Sequence, residues 1–207
     1  MKNKSNNQAY RKLRTNIEYR NDDKNIKSIC LTSCNHGAGT TTVACNLAIT
    51  SAANKSKVLL IDANISNPQI HKVFNMNMDT GLTNILRNHD YSNVMYYTSK
   101  FKDNHSDGVL YVMGAGSKIS HSLDVLSSEA FKDFMIAMNE VFDFIIIDCP
   151  SIETSYDVIP VTHVVDGTVL VISSLDSDKN KAKDALRQLH RNGANILGTV
   201  LNKVVGD

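Results

Sequence analysis

No apolar run in these 207 residues approaches the roughly 20 that a membrane-spanning helix needs, and the opening MKNKSNNQAYRKLR has no apolar stretch of the secretory kind. A cytoplasmic chain is therefore expected. A charge bias is missing too: 22 Lys and Arg against 21 Asp and Glu leave a net +1, which gives no reason to expect a nucleic-acid partner. Cysteine is limited to Cys30, Cys34, Cys45 and Cys149, without CxxC spacing and in or beside apolar patterns, so buried reduced thiols are expected instead of a disulfide or zinc site. There is no internal repeat and no break in composition. A chain of 207 residues with 42% hydrophobic residues is most simply one globular domain with a sizeable core.

Short β-branched runs alternate with helical patterns along the chain. SICLTS, KVLLIDA, VLYVMGA, FDFIIID, GTVLVIS and ILGTVLNKV read as buried strands, and their alternation with helices predicts an α/β fold with a doubly wound, mainly parallel sheet. Between the last two runs, Ala182, Ala185, Leu186 and Leu189 recur at helical spacing. Ser177 or Asp178 offers an N-cap there and Gly193 a left-handed stop, so a crossover helix is expected. The polar stretch from Asn88 to Ser106 has weak periodicity and predicts surface loops with short elements. Residues 1–24 are expected to form an N-terminal helix and its connection, and residues 25–207 the core.

The segment GAGTTT, residues 37 to 42, falls between the first strand run and the helical pattern VACNLAITSA. Backbone N–H groups in such a loop, together with the helix N-terminus, make an anion site, and Gly37 and Gly39 let the backbone approach a phosphate. The lysine that usually follows the second glycine and holds the β and γ phosphates is absent, and Thr40 stands there. Thr41 sits where a hydroxyl normally binds Mg²⁺, while Thr42 could cap the helix or reach the α phosphate. Asp62 and Asp148 close two apolar strand runs at their carboxyl ends, where α/β sheets gather ligands; a lone carboxylate there is as often a helix cap as a metal ligand.

Taken together, TSCNHGAGTTTVACNLA, VLLIDANISNPQIHKVF, GLTNIL, FDFIIIDCP, GTVLVI and GANILGTVLNKV resemble the bacterial tyrosine kinases (BY-kinases) of capsule and exopolysaccharide operons, nearly end to end. The resemblance implies a P-loop NTPase-like fold and a site for ATP or ADP with Mg²⁺. It assigns the triphosphate to Gly37, Ala38, Gly39, Thr40, Thr41 and Thr42, and the metal to Thr41, Asp62 and Asp148. Asp62 would also be the base for a tyrosine hydroxyl, and Asn202 and Lys203 would contact adenine. AYRKLRTNI resembles the family's ExxRxxR helix through Gln8, Arg11 and Arg14, which implies an interface with a neighbouring subunit of a ring. Pro68, His71 and Phe74 match its RPxxHxxF stretch. A membrane chain-length-regulator subunit of polysaccharide assembly is the implied partner, placing the chain at the inner face of the membrane.

Departures from that pattern set the expected function. Thr40 removes a positive charge from the phosphate side, and Asn64, where the family has the second aspartate of a DxD motif, removes a negative charge from the metal side. Ser66 and Asn67 replace a basic pair, SKISHSLDVLSS lacks a Pro-Asn-Pro stretch, and the last of the seven tyrosines is Tyr156, short of a C-terminal tyrosine cluster. Phosphoryl transfer depends on positioning and charge stabilisation, and one lost charged contact commonly costs about 3 kcal/mol, on the order of a hundredfold in rate. The expectation is a catalytically impaired regulatory partner that binds nucleotide weakly. An active tyrosine kinase of the same pathway is the first alternative. A relative of the Min and Par partitioning ATPases is the second, a poorer match because Asn35 occupies the place of their signature lysine.

Overall fold

The computed structural model describes residues 2–19, 26–54, 56–102 and 107–204. In chain order the elements are α1 (Lys2–Glu18), β1 (Ser28–Ser33), α2 (Thr40–Ala52), β2 (Lys57–Asp62), α3 (Ile70–Val73), α4 (Leu82–Asn88), a 3₁₀ segment (Tyr91–Tyr97), β3 (Ser99–Phe101) and β4 (Val109–Met113). Then follow α5 (Ser122–Leu126), α6 (Glu129–Val141), β5 (Phe144–Asp148), α7 (Val158–Thr162), β6 (Gly167–Ser173), α8 (Lys179–Arg191) and β7 (Ile196–Asn202).

The seven strands form one sheet in the order β3-β4-β2-β5-β1-β6-β7. Every pairing is parallel except β3 with β4, where Ser99–Phe101 runs antiparallel along the edge. The six apolar runs are the six parallel strands. The edge strand β3 had no signal of its own: SKF is too short to show a period, and it forms because β4 offers an open ladder there. It falls in the Asn88–Ser106 stretch expected to carry short elements, of which residues 103–106 lie outside the described residues.

Alternation along the strands sends successive side chains to opposite faces, and each face is covered by helices. Cys30, Leu59, Ile61, Ile145, Ile147 and Leu170 join one core with Phe131, Phe134, Met135 and Met138 of α6 and Ala182, Ala185 and Leu189 of α8. Ile29, Leu31, Val58, Leu60, Ile146, Val169 and Val171 form the other, with Val43, Ala44, Leu47 and Ala48 of α2 and Ile17 of α1. Each fully buried aliphatic side chain contributes roughly 1.5–3 kcal/mol. The two cores hold the central strands rigid and leave the carboxyl ends of β1, β2 and β5 open. The doubly wound expectation is met, in one domain.

Local signals explain the helix boundaries. Asp178 caps α8, its carboxylate accepting from Asn180 N at 2.7 Å, and Gly193 follows at φ 75°. Ser177, the other candidate cap, instead donates through its hydroxyl to Asn35 Oδ1 at 2.6 Å. Ser128 caps α6 by accepting from Phe131 N. All four cysteines are free and buried, as expected. No helix among the described residues is long and apolar enough to cross a membrane.

Candidate functional site

The site begins where β1 ends. Ser33 passes the chain into Cys34-Asn35-His36-Gly37-Ala38-Gly39, and α2 starts at Thr40. Gly37 and Gly39 adopt φ 79° and 91°, a left-handed region that a Cβ disfavours. Gly39 is the N-cap of α2, so the helix opens with free backbone N–H groups and the positive end of its dipole facing the cleft. Thr42 is not the cap; it is exposed in the first turn, and its carbonyl accepts from Asn46 Nδ2 at 2.8 Å. The cap alternative fails because the left-handed Gly39 already turns the chain into the helix one residue before Thr40.

Two carboxylates lie at strand ends on this side of the sheet, and Asp148 meets the start of α2 through Thr41. Asp62 and Asp148 are register partners on the adjacent parallel strands β2 and β5, and both are almost fully buried. Their surroundings differ. Asp62 accepts three backbone N–H groups, from Asn64 at 3.2 Å and from Gln69 and Ile70 at 3.0 Å each, so it caps the short helix α3. Burial pushes its carboxyl up to about 6, against the lowering pull of those three hydrogen bonds. Asp148 accepts one hydrogen bond through Oδ2, from the Thr41 hydroxyl at 2.6 Å, while its Oδ1 is buried with no partner. Burial, and then the charge of Asp62, push Asp148 well above the usual carboxylate range.

That orphaned oxygen beside a hydroxyl is the fit expected of a hard divalent cation, which takes oxygen ligands and would repay an otherwise unmatched buried charge. Thr41 and Asp148 are the side chains that would hold Mg²⁺, and Asp62 lies one strand away with its oxygens already engaged by the backbone. Asn64, half-buried, offers a neutral carbonyl oxygen at the cleft. The cleft measures about 340 Å³, and His36, Gly37, Gly39, Thr40, Thr41 and Asn64 are among its lining. A larger, mostly apolar trough of about 860 Å³ lies between α4 and α5, and its lining includes neither the glycine loop nor the acidic pair.

Asn202, at the end of β7, donates through Nδ2 to Ala38 O at 2.9 Å and so braces the loop from the other side. A Cβ at Gly39 would collide with that same amide. Lys203 follows at φ 56°, but its ammonium turns away to Asp176, 2.6 Å off, and that contact holds the Asp176 carboxyl below its ordinary value. The two residues therefore separate: Asn202 meets the loop and the Lys203 charge is engaged elsewhere.

On α1, Gln8 and Arg11 are exposed. Arg14 folds inward, donating to Thr50 O of α2 at 3.2 Å with Glu18 Oε1 at 3.4 Å from its Nε, so its guanidinium serves this chain's own packing. After β2, Pro68 leads into α3; Phe74 packs against Phe101 with centroids 5.0 Å apart, and His71 Nδ1 is buried without a hydrogen bond. Sequence reasoning passed over His36, which stands beside Gly37 and lines the cleft; its place next to the glycine loop was the available signal.

A glycine loop at a β1–α2 junction, paired with acidic ends on the neighbouring parallel strands, defines a P-loop domain. Residues 26–203 match a family model described as an AAA domain. Over 197 residues the chain is 34% identical to tyrosine-protein kinase YwqD of Bacillus subtilis, covering 95% of this chain and 81% of that protein. It is 30% identical over 197 residues to the putative tyrosine-protein kinase CapB of Staphylococcus aureus, covering 95% and 84%. The crystal structure of the chimerical protein CapA2B2 superposes with a TM-score of 0.85 at 29% identity, over 95% of this chain and 84% of that one. The septum site-determining protein MinD of Pyrococcus horikoshii, solved with Mg-ADP, shares the fold at a TM-score of 0.66 and 19% identity, over 84% and 69%. The chain belongs to the bacterial tyrosine kinase family of P-loop proteins.

Proposed function

We propose that this protein is a catalytically impaired BY-kinase that acts as a regulatory binding partner in capsular or exopolysaccharide biosynthesis and binds Mg·ATP weakly. The observation that carries the reading is the cleft itself: the loop, Thr41 and the acidic pair are assembled, while Thr40 and Asn64 leave both charged poles short. Thr40 offers a hydroxyl in place of an ammonium, and a neutral contact is worth roughly 1 kcal/mol less than a charge-assisted one. Nucleotide binding survives on the backbone N–H groups of the loop; rate acceleration, which needs charge at the transferring phosphoryl group, suffers more. The partner is a membrane chain-length-regulator subunit, which would hold the protein at the inner face of the membrane, and ring assembly through the exposed Gln8 and Arg11 belongs to the same reading.

The experiment combines two measurements. The purified protein is incubated with Mg·ATP and a tyrosine-bearing tail supplied in trans, and its association with the cytoplasmic segment of the regulator is measured separately. Association without phosphorylation supports the reading. Turnover comparable with ordinary kinases, about 1 per second or faster, overturns it.

One observation favours an active kinase instead. Asp62 has its carboxyl pushed up to about 6, near the value suited to removing a tyrosine proton at neutral pH. The partitioning-ATPase reading has less behind it: Asn35 is buried and hydrogen-bonded to Ser177, and the likeness to MinD is one of fold.

A further inference from the structure

The cleft has an electrostatic problem that its assigned residues do not solve. Two buried carboxylates, Asp62 and Asp148, lie beside a loop meant for a triphosphate, and the position of the usual lysine is Thr40. Lys203, the nearby ammonium, is bound to Asp176. Among the described residues that line the cleft, His36 is the one side chain able to carry positive charge. Its geometry is set by its neighbour. Asn35 turns into the protein, accepting from Ser177 through Oδ1 and donating through Nδ2 to the His36 carbonyl at 3.0 Å. With that carbonyl pinned, the His36 side chain projects outward, exposed, at the mouth of the cleft next to Gly37. Its imidazole makes no hydrogen bond with the described residues.

We propose that His36 is the phosphate-binding cation of this site, an imidazolium that partly replaces the missing lysine by contacting the polyphosphate of a nucleoside triphosphate from the loop side. This rests on the nucleotide-binding reading above. His36 is a binding residue only; proton transfer stays with Asp62. Because the imidazole is shorter than a lysine chain and reaches from a different loop position, it would neutralise phosphate charge without restoring the transition-state contact that position 40 supplies in a lysine-bearing loop.

The test is calorimetry with Mg·ATP at pH 6, where imidazoles are in general largely protonated. It uses wild type, His36→Ala, His36→Arg, Thr40→Lys and the double variant Thr40→Lys/His36→Ala, each checked for an unchanged melting temperature. His36→Ala should weaken binding at least about fivefold, and His36→Arg should match or exceed wild type, as a charge-assisted contact requires. With Thr40→Lys in place, loss of His36 should matter less than about twofold, because the lysine takes over the phosphates. Equal affinity of wild type and His36→Ala would overturn the assignment and leave the nucleotide reading standing. Binding by His36→Arg but not by wild type would also overturn it, since the native imidazole would then be insufficient. Absence of binding in wild type, His36→Arg and Thr40→Lys alike would overturn the nucleotide reading and the assignment together.

Discussion

Replacing Asp148 with asparagine should stabilise the nucleotide-free protein at pH 8 and leave it nearly unchanged at pH 4.5. A carboxylate whose folded value is raised contributes stability that is fully present below its unfolded value and lost as pH rises through the folded one. For Asp62 the rise from 3.8 to about 6 spans two units, about 3 kcal/mol lost between roughly pH 4 and pH 7. Asp148 shifts in the same direction, by burial first and then by the charge of Asp62. An amide at position 148 keeps an acceptor for the Thr41 hydroxyl and places its NH₂ where Oδ1 already lacks a partner, while removing the charge. The gain expected at pH 8 is the relief of that buried charge, read as a higher urea midpoint, and it vanishes at pH 4.5 because the buried NH₂ there replaces the equally unpartnered O–H of the protonated carboxyl. Urea unfolding at the two pH values, without Mg²⁺ or nucleotide, measures it. An Asp148→Asn variant destabilised by the same amount at both pH values would refute the reasoning, since it would mean that the carboxylate is held by something other than an uncompensated charge.

Thr40→Lys with Asn64→Asp should tighten Mg·ATP binding, and calorimetry that finds no change would show that the two charges are not what the cleft lacks. Gly39→Ala should cost at least about 1 kcal/mol in urea unfolding, because both the left-handed backbone and the Asn202 amide oppose a Cβ, and Asn202→Ala should relieve only the second. Arg14→Ala should lower the melting temperature of the isolated chain, whereas Arg11→Ala should leave it unchanged, since only Arg14 reaches Thr50. Leu189→Ala, in a fully buried position of α8, should cost about 2–5 kcal/mol by chemical denaturation.

The parallel strands were legible because burial on both faces makes each of them an unbroken apolar run, and Asp62 and Asp148 stood out as charges closing such runs. What separates the two was not legible. The capping of Asp62 depends on residues seven and eight positions later folding back, and the orphaned oxygen of Asp148 depends on which of its oxygens the Thr41 hydroxyl, 107 positions away, engages. Arg14 reads on paper as one of two equivalent exposed arginines, and only the packing of α1 on α2 distinguishes it from Arg11. Lys203 shares a strand-end turn with Asn202, yet a left-handed residue there sends the two side chains in different directions, which no spacing rule reports. Asp178 over Ser177 as the cap of α8 was decided by a partner 142 residues away, Asn35.

The in-register pairing of β2 with β5 acts as a gauge. The separation of the two acidic groups is set by a hydrogen-bonded ladder running from Val58 opposite Phe144 to Asp62 opposite Asp148, beneath two layers of packed aliphatic side chains. A slip of one residue would move one carboxylate by about 3.3 Å and turn its whole strand inside out, which the cores forbid. Cleft positions such as 36, 40 and 64 are therefore free to exchange charge for neutrality, or back again, while the spacing they act on stays fixed. In a scaffold of this kind catalytic strength can be tuned by point substitution at the rim without retuning the frame.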